Sequence, residues 1–238
     1  MKNDINCAKC PIINKACRVK GGEGPKWCPT LYHGEIIEKV LGRYDQPEIW
    51  EFARQASVQE GQCYANRDQT PFVLHPTKSR LEEIIEFSKK MGYKRLGIAF
   101  CGGVSLEASI LVEILEKQGF DTVAVTCKAG GIPKERIGIK EEEKIQIGKF
   151  EPMCNPIVQA EILNEAQTEF NIMLCLCVGH DSLFLKYIKA PTTVLAVKDR
   201  VTGHNPMAAL YTSRSYYQRL RRLEFGSEKE MKERMGKK

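Results

Sequence analysis

Four short apolar runs, each followed by a stretch with helical spacing, constrain this chain more than any other feature. They are KRLGIAF, DTVAVTC, NIMLCLCV and TTVLAVKD, all between residues 93 and 211. Runs that are apolar throughout, rich in Val and Ile, belong to strands covered on both faces, and those occur in parallel sheets. The intervening stretches, GGVSLEASILVEILEKQG, NPIVQAEILNEAQTEF and HDSLFLKYIKA, read as helices. Right-handed crossovers then give an α/β, Rossmann-like three-layer sandwich around a mainly parallel four-stranded sheet.

Two regions precede this core. Residues 1–34 are rich in Cys, Gly, Pro and Lys and cannot build an apolar core, so a staple is expected there. Residues 35–92 read as helical. Pro47 opens one helix, which is expected to bury Ile49, Trp50, Phe52, Ala53 and Ala56. SRLEEIIEFSKKMG is the clearest helix, with Ser79 as cap, Glu82 three residues later and Gly92 as terminator. The domain reading is therefore 1–34, a four-cysteine metal-binding segment; 35–92, a helical region; 93–225, the α/β core; and 226–238, a flexible basic tail.

Ten cysteines stand out in a chain whose first residues show no apolar leader and which has no run of 18 apolar residues. A cytoplasmic location is expected, and in that reducing compartment such cysteine density points to metal or to thiol chemistry. Cys7, Cys10, Cys17 and Cys28 form C-x2-C-x6-C-x10-C. Four thiolates satisfy tetrahedral zinc or a 4Fe–4S cluster equally well. A second C-x2-C knuckle is missing, and the long spacers lean toward iron–sulfur.

A second group follows from the fold. Ligands of open α/β sheets bind beyond the carboxyl ends of the strands. Cys101, Cys127 and Cys177 fall at three such ends, and Cys154 lies just before the helix start Asn155-Pro156. Thiols ahead of helix starts are pushed toward thiolate. These four, with His180 and His204, are expected to form a second site holding an iron–sulfur cluster or metal, with Asp181 beside them. Cys175 and Cys63 read as core packing. The alternative uses are a phosphate cradle at Cys101-Gly102-Gly103-Val104-Ser105, which lacks the full dinucleotide and P-loop patterns, and a metal-free enzyme with Cys177 as nucleophile and His180 as base.

The net charge of +6 does not argue for nucleic acid. From Thr212 onward there are nine Lys or Arg and four Glu, so +5 of it sits in the last 27 residues. That end, with Tyr216 and Tyr217 among its arginines, reads as a solvated helix. The partner expected is a small molecule or redox protein, and neither nucleic acid nor membrane. Redox, sulfur or thiol chemistry is the function expected, against a zinc-stabilised binding module without catalytic activity.

CAKCP…C…WCP, GIAFCGG, MCNPIVQAEILN, LCVGHDSLFLKY and KAPTTVLAVKDRVTGHNP together resemble a prokaryotic, cysteine-rich family of unknown function described only as metal-binding proteins. The resemblance covers nearly the whole chain. It implies metal binding by Cys7, Cys10, Cys17 and Cys28 at the N-terminal site, and a core motif of Cys101, Cys127, Cys154, Cys177 and His180. It implies no reaction. Cys175 stands where the family pattern implies a small residue such as glycine.

Overall fold

The computed structural model describes residues 5–223 and 225–227; the basic tail falls outside it from residue 228. The chain divides into two compact units, residues 1–78 and 79–238.

In the first unit a 3-10 turn at Cys7–Lys9 leads through loops to α1 (Pro29–Tyr32), α2 (Gly34–Leu41) and α3 (Pro47–Gln62). Pro47 occupies the first turn of α3, where its missing N–H costs no hydrogen bond. The loops are stitched by Ala16 N–H to Glu23 O (2.8 Å) and Glu23 N–H to Asn14 O (2.9 Å). The burial expected along α3 is not what the structure shows. Ile49, Trp50 and Ala56 are exposed, while Phe52 and Ala53 are half-buried. Among the described residues this unit buries Cys28, Gln59 and Cys63 and no large apolar side chain. Short helices joined by loops form no second layer to cover an apolar face. Cys63 does pack as expected, its thiol donating to Gln59 O at 3.0 Å.

The second unit holds α4 (Arg80–Lys90), β1 (Arg95–Phe100), α5 (Ser105–Lys117), β2 (Asp121–Thr126), α6 (Pro156–Glu165), β3 (Phe170–Leu174), α7 (His180–Tyr187), β4 (Thr192–Ala196) and α8 (Met207–Tyr211). α4 begins as its sequence dictates. Ser79 Oγ accepts from Glu82 N–H at 3.4 Å, and Glu82 Oε2 accepts from Ser79 N–H at 2.6 Å. Lys89 of α4 reaches Gln118 Oε1 at 2.7 Å, and Phe87 packs against Phe170.

All four strands are parallel, in the order β2-β1-β3-β4. The fold is an α/β three-layer sandwich, as the pattern of apolar runs indicates. The chain steps to one side after β1 and to the other after β2. Right-handed connections therefore place α5 on one face and α6 with α7 on the other. Ala99, Val125, Cys127, Met173, Leu176 and Phe184 fill the core beneath α6, together with its own Ala160 and Leu163. The order reverses at β1, so the crevice beyond the carboxyl ends of β1 and β3 is the position where such sheets bind ligands.

Candidate thiol site at the carboxyl edge of the sheet

Three loop openings bring thiols to that edge. β1 ends at Phe100, and Cys101 begins a 3-10 turn leading into α5. The register Phe100↔Thr126, carried one residue further, sets Cys101 beside Cys127 on the neighbouring strand. Cys127 N–H donates to Phe100 O at 2.8 Å and continues the ladder. The chain then leaves on a long loop and returns at Cys154. Asn155 N–H donates to Cys127 O at 2.7 Å, which fixes Cys154 next to Cys127. Asn155 also caps α6, its Oδ1 accepting from Val158 N–H at 3.2 Å, an arrangement suited to a short amide side chain.

Cys101 and Cys154 pack against the core cluster that contains Cys127, and Gly102 N–H donates to the Cys127 sulfur at 3.3 Å. Its two sulfur neighbours, with burial, push its pKa upward, so Cys127 keeps its proton. The outer thiols move the other way. The neighbouring Cys127, the Gly103 N–H and the Lys198 ammonium lower Cys101 to about 5. The neighbouring Cys127, with Lys128 and His180 nearby, lowers Cys154 to about 5.

Cations frame it. Lys128 Nζ is anchored to Pro152 O at 2.6 Å beside Cys154. Arg200 Nη2 donates to Cys177 Sγ at 3.2 Å. That hydrogen bond, and then the charges of Cys177, Cys101 and Cys154, raise the guanidinium's pKa further, so one Arg senses all three of these thiols. Beneath the edge, Gln159 of α6 donates Nε2 to Phe100 O (3.1 Å) and Val125 O (2.7 Å), tying the ends of β1 and β2 together.

The remaining sequence candidates take other places. β3 ends at Leu174, earlier than the apolar run suggested, because Cys175 adopts φ +56° and breaks the alternation. Cys175 is buried, and burial raises its pKa, as suits a packing residue. Cys177 is half-exposed on the following loop, against Arg200. His180 acts on Cys154, and its Nδ1 is buried without a hydrogen-bond partner among the described residues. Asp181 is spent locally, its Oδ1 accepting from Gly179 and Ser182 N–H at 2.9 and 2.7 Å. His204 closes its own loop: its Nδ1 accepts from Asp199 N–H at 3.1 Å, and its N–H donates to Asp199 O at 2.8 Å. The N–H groups of Gly102 and Gly103, which a phosphate cradle would need, are turned on sulfur.

The N-terminal cysteines are separated by exposure. Cys7 and Cys17 are exposed, Cys10 is half-exposed and Cys28 is buried. Among the described residues no three or more Cys, His, Asp or Glu side chains stand together so as to hold a metal ion, in either unit. The arrangement at the sheet edge suits thiols that react, with their charge held by Lys128, Lys198 and Arg200.

Sequence reading missed Lys128, Lys198, Arg200 and Gln159. The first three leave a signal, each lying within four residues of a strand end in a parallel sheet. Gln159 leaves none.

No described helix is long and apolar enough to cross a membrane. Residues 28–195 match the family described as a protein of unknown function, DUF1847. The chain is also 44% identical over 209 residues to the uncharacterized protein MJ0455 of Methanocaldococcus jannaschii, covering 88% of this chain and 95% of that protein. With a match spanning most of its length, the chain belongs to the DUF1847 family.

Proposed function

We propose that this protein performs thiol or sulfur redox chemistry at the carboxyl edge of its sheet. Cys101, Cys127 and Cys154 are the reacting thiols, and Lys128, Lys198, His180 and Arg200 hold the negative charge. The observation that carries this reading is the placement of Cys101 and Cys154 beside Cys127, by the parallel register of β1 with β2 and by the Asn155 N–H bond to Cys127 O, with the Gly102 N–H on the Cys127 sulfur. Thiolates in electropositive, half-exposed surroundings are the nucleophilic form of cysteine.

Alkylation tests it. The reduced full chain, treated with one equivalent of iodoacetamide at about pH 6 and mapped by peptide mass spectrometry, should carry label on Cys101 and Cys154, since ordinary thiols are protonated there. Labelling that follows exposure, on Cys7 and Cys17, overturns the reading.

A second reading concerns the N-terminal segment. We propose a zinc ion or 4Fe–4S cluster on Cys7, Cys10, Cys17 and Cys28 as its staple. Supporting it, Cys10 N–H closes on Cys7 O at 3.2 Å, so the C-x2-C pair sits at the two ends of one tight turn. The four thiols are not gathered in this structure, so folding around a metal would have to draw them in. Elemental analysis of anaerobically purified protein should find iron with brown colour, or about one zinc without colour. Metal-free protein that stays folded overturns this second reading.

A further inference from the structure

We propose that the arginine-rich segment following α8 is a binding site for small molecules that carry two or more linked phosphoryl groups. Such a site goes beyond the thiol chemistry proposed for the sheet edge, and neither needs the other.

The stretch YTSRSYYQRLRR does not continue as one helix, because α8 stops at Tyr211. Thr212 Oγ1 turns back to donate to Ala208 O at 2.7 Å. Thr212 O then accepts N–H bonds from Ser215 and Tyr217 at 2.9 and 3.0 Å. These tight turns lead into a 3-10 helix at Gln218–Arg221. Side chains three apart on a 3-10 helix eclipse one another, so Gln218 and Arg221 share a face. Gln218 Nε2 also donates to Arg214 O at 2.9 Å and pins the preceding turn to that face. The result is a cavity of about 430 Å³ lined by Arg214, Gln218, Arg221 and Arg222. Arg219, one residue round the helix, is used differently. Its guanidinium lies 4.4 Å from the centroid of the Tyr217 ring, and its Nη1 donates to Tyr216 O at 3.5 Å.

Three guanidiniums around one cavity repel each other, and they stay charged throughout the pH range of proteins. None of the three is in an ion pair among the described residues. The fourth lining residue, Gln218, is neutral. All four side chains are exposed, so burial does not offset the repulsion. An anion in the cavity does. The guanidinium fork meets phosphoryl oxygens two at a time.

Size and composition narrow the ligand. The cavity falls within the range of roughly 300–1,000 Å³ typical of small-molecule sites. One tetrahedral oxyanion would occupy a small part of it, and three forks offer more donors than one phosphoryl group can accept. A diphosphate or triphosphate matches both. The lining has no apolar wall to sort a carbon skeleton, so charge density decides. A polynucleotide is a poorer match. It needs a stripe of cations along successive phosphates, yet +5 of the net +6 lies in the last 27 residues, which leaves +1 for the rest of the chain.

Calorimetric titration of the full chain with sodium tripolyphosphate tests the site, at about 50 mM salt where screening is weak. Saturable binding of one tripolyphosphate per chain is expected, weakening as salt is raised. Arg214→Ala and Arg221→Ala should each weaken it roughly tenfold or more, as expected for the loss of charge-assisted hydrogen bonds. Arg221→Lys should fall between wild type and Arg221→Ala, since it keeps the charge and loses the fork. Arg219→Ala should bind as wild type does. The replaced side chains at 214 and 221 are exposed, so these variants keep the fold. Absence of saturable binding overturns the proposal, as does binding unchanged in Arg221→Ala. Arg219→Ala losing as much as Arg221→Ala would show diffuse charge rather than a site. Citrate binding as tightly as tripolyphosphate, or a single-stranded RNA oligonucleotide binding where tripolyphosphate does not, overturns the ligand class.

Discussion

The backbone N–H of Gly102 points at the sulfur of Cys127 across 3.3 Å. Gly102 follows β1 and Cys127 follows β2, two strands in parallel register. The bond thus joins two loop openings through a thiol. It offers Cys127 a donor, yet the neighbouring sulfurs and burial outweigh it, and the proton stays on Cys127.

The pH dependence of labelling follows. Cys101 and Cys154 are lowered to about 5, so their thiolate form is full at neutral pH and is lost as pH falls through that value. Their iodoacetamide rates should be level between about pH 8 and about pH 6 and fall about tenfold per unit below about pH 5, whereas a free thiol already falls below about pH 8.5. Site-resolved rates by mass spectrometry check this; a fall beginning near pH 8 at both sites contradicts it.

Ser79→Ala removes the side chain that caps α4 and receives the Glu82 N–H. A loss of about 1 kcal/mol is expected in chemical denaturation of the full chain. No change in midpoint would show that the cap contributes nothing.

Gly97 lies in β1, and a Cβ built there lands on Asn171 Oδ1 of β3 and close to Leu163 Cδ1 of α6. Asn171 is fully buried, and its Oδ1 accepts from Thr168 Oγ1 at 2.8 Å. Gly97→Ala should therefore cost about 1–3 kcal/mol through overpacking. Thermal melts of the variant against wild type measure it, and an unchanged melt would mean that the strand shifts freely.

Glu151 organises the long loop between β2 and α6. Its Oε2 accepts from Ile145 and Gln146 N–H at 2.8 and 3.0 Å, and its Oε1 pairs with Lys134 Nζ at 2.5 Å. The ion pair with Lys134, then the backbone N–H groups, lower its pKa to about 2. A lowered carboxylate contributes fully above the usual range near about pH 4.3 and loses that contribution as pH falls toward its folded value. Hydrogen exchange at the Ile145 and Gln146 amides should accelerate in Glu151→Gln at neutral pH. Unchanged protection would mean that the loop is held by other groups.

Much of the fold was legible because it depends on local patterns. Four apolar runs separated by helical stretches specify a parallel sheet, and Ser79 with Glu82 specifies a helix start without help from the rest of the chain. Trp50 and Ile49 were misjudged because helical spacing reveals an apolar face and says nothing of whether another layer covers it. Cys175 was legible as core, but its left-handed backbone was not, since that conformation is imposed by the loop it opens.

The sequence by itself indicated that Cys101 and Cys127 arrive at the same edge, because strand ends in a parallel sheet share one rim, and that Cys154 precedes a helix start. Only the tertiary structure decided their chemistry. Which sulfur keeps the proton depends on distances between residues 26 and 27 positions apart, on the N–H groups of Gly102 and Gly103, and on Lys128 and Lys198. Electrostatic and hydrogen-bond energies vary steeply with separation. Spacing along the chain does not encode that separation; packing α6 against the sheet sets it.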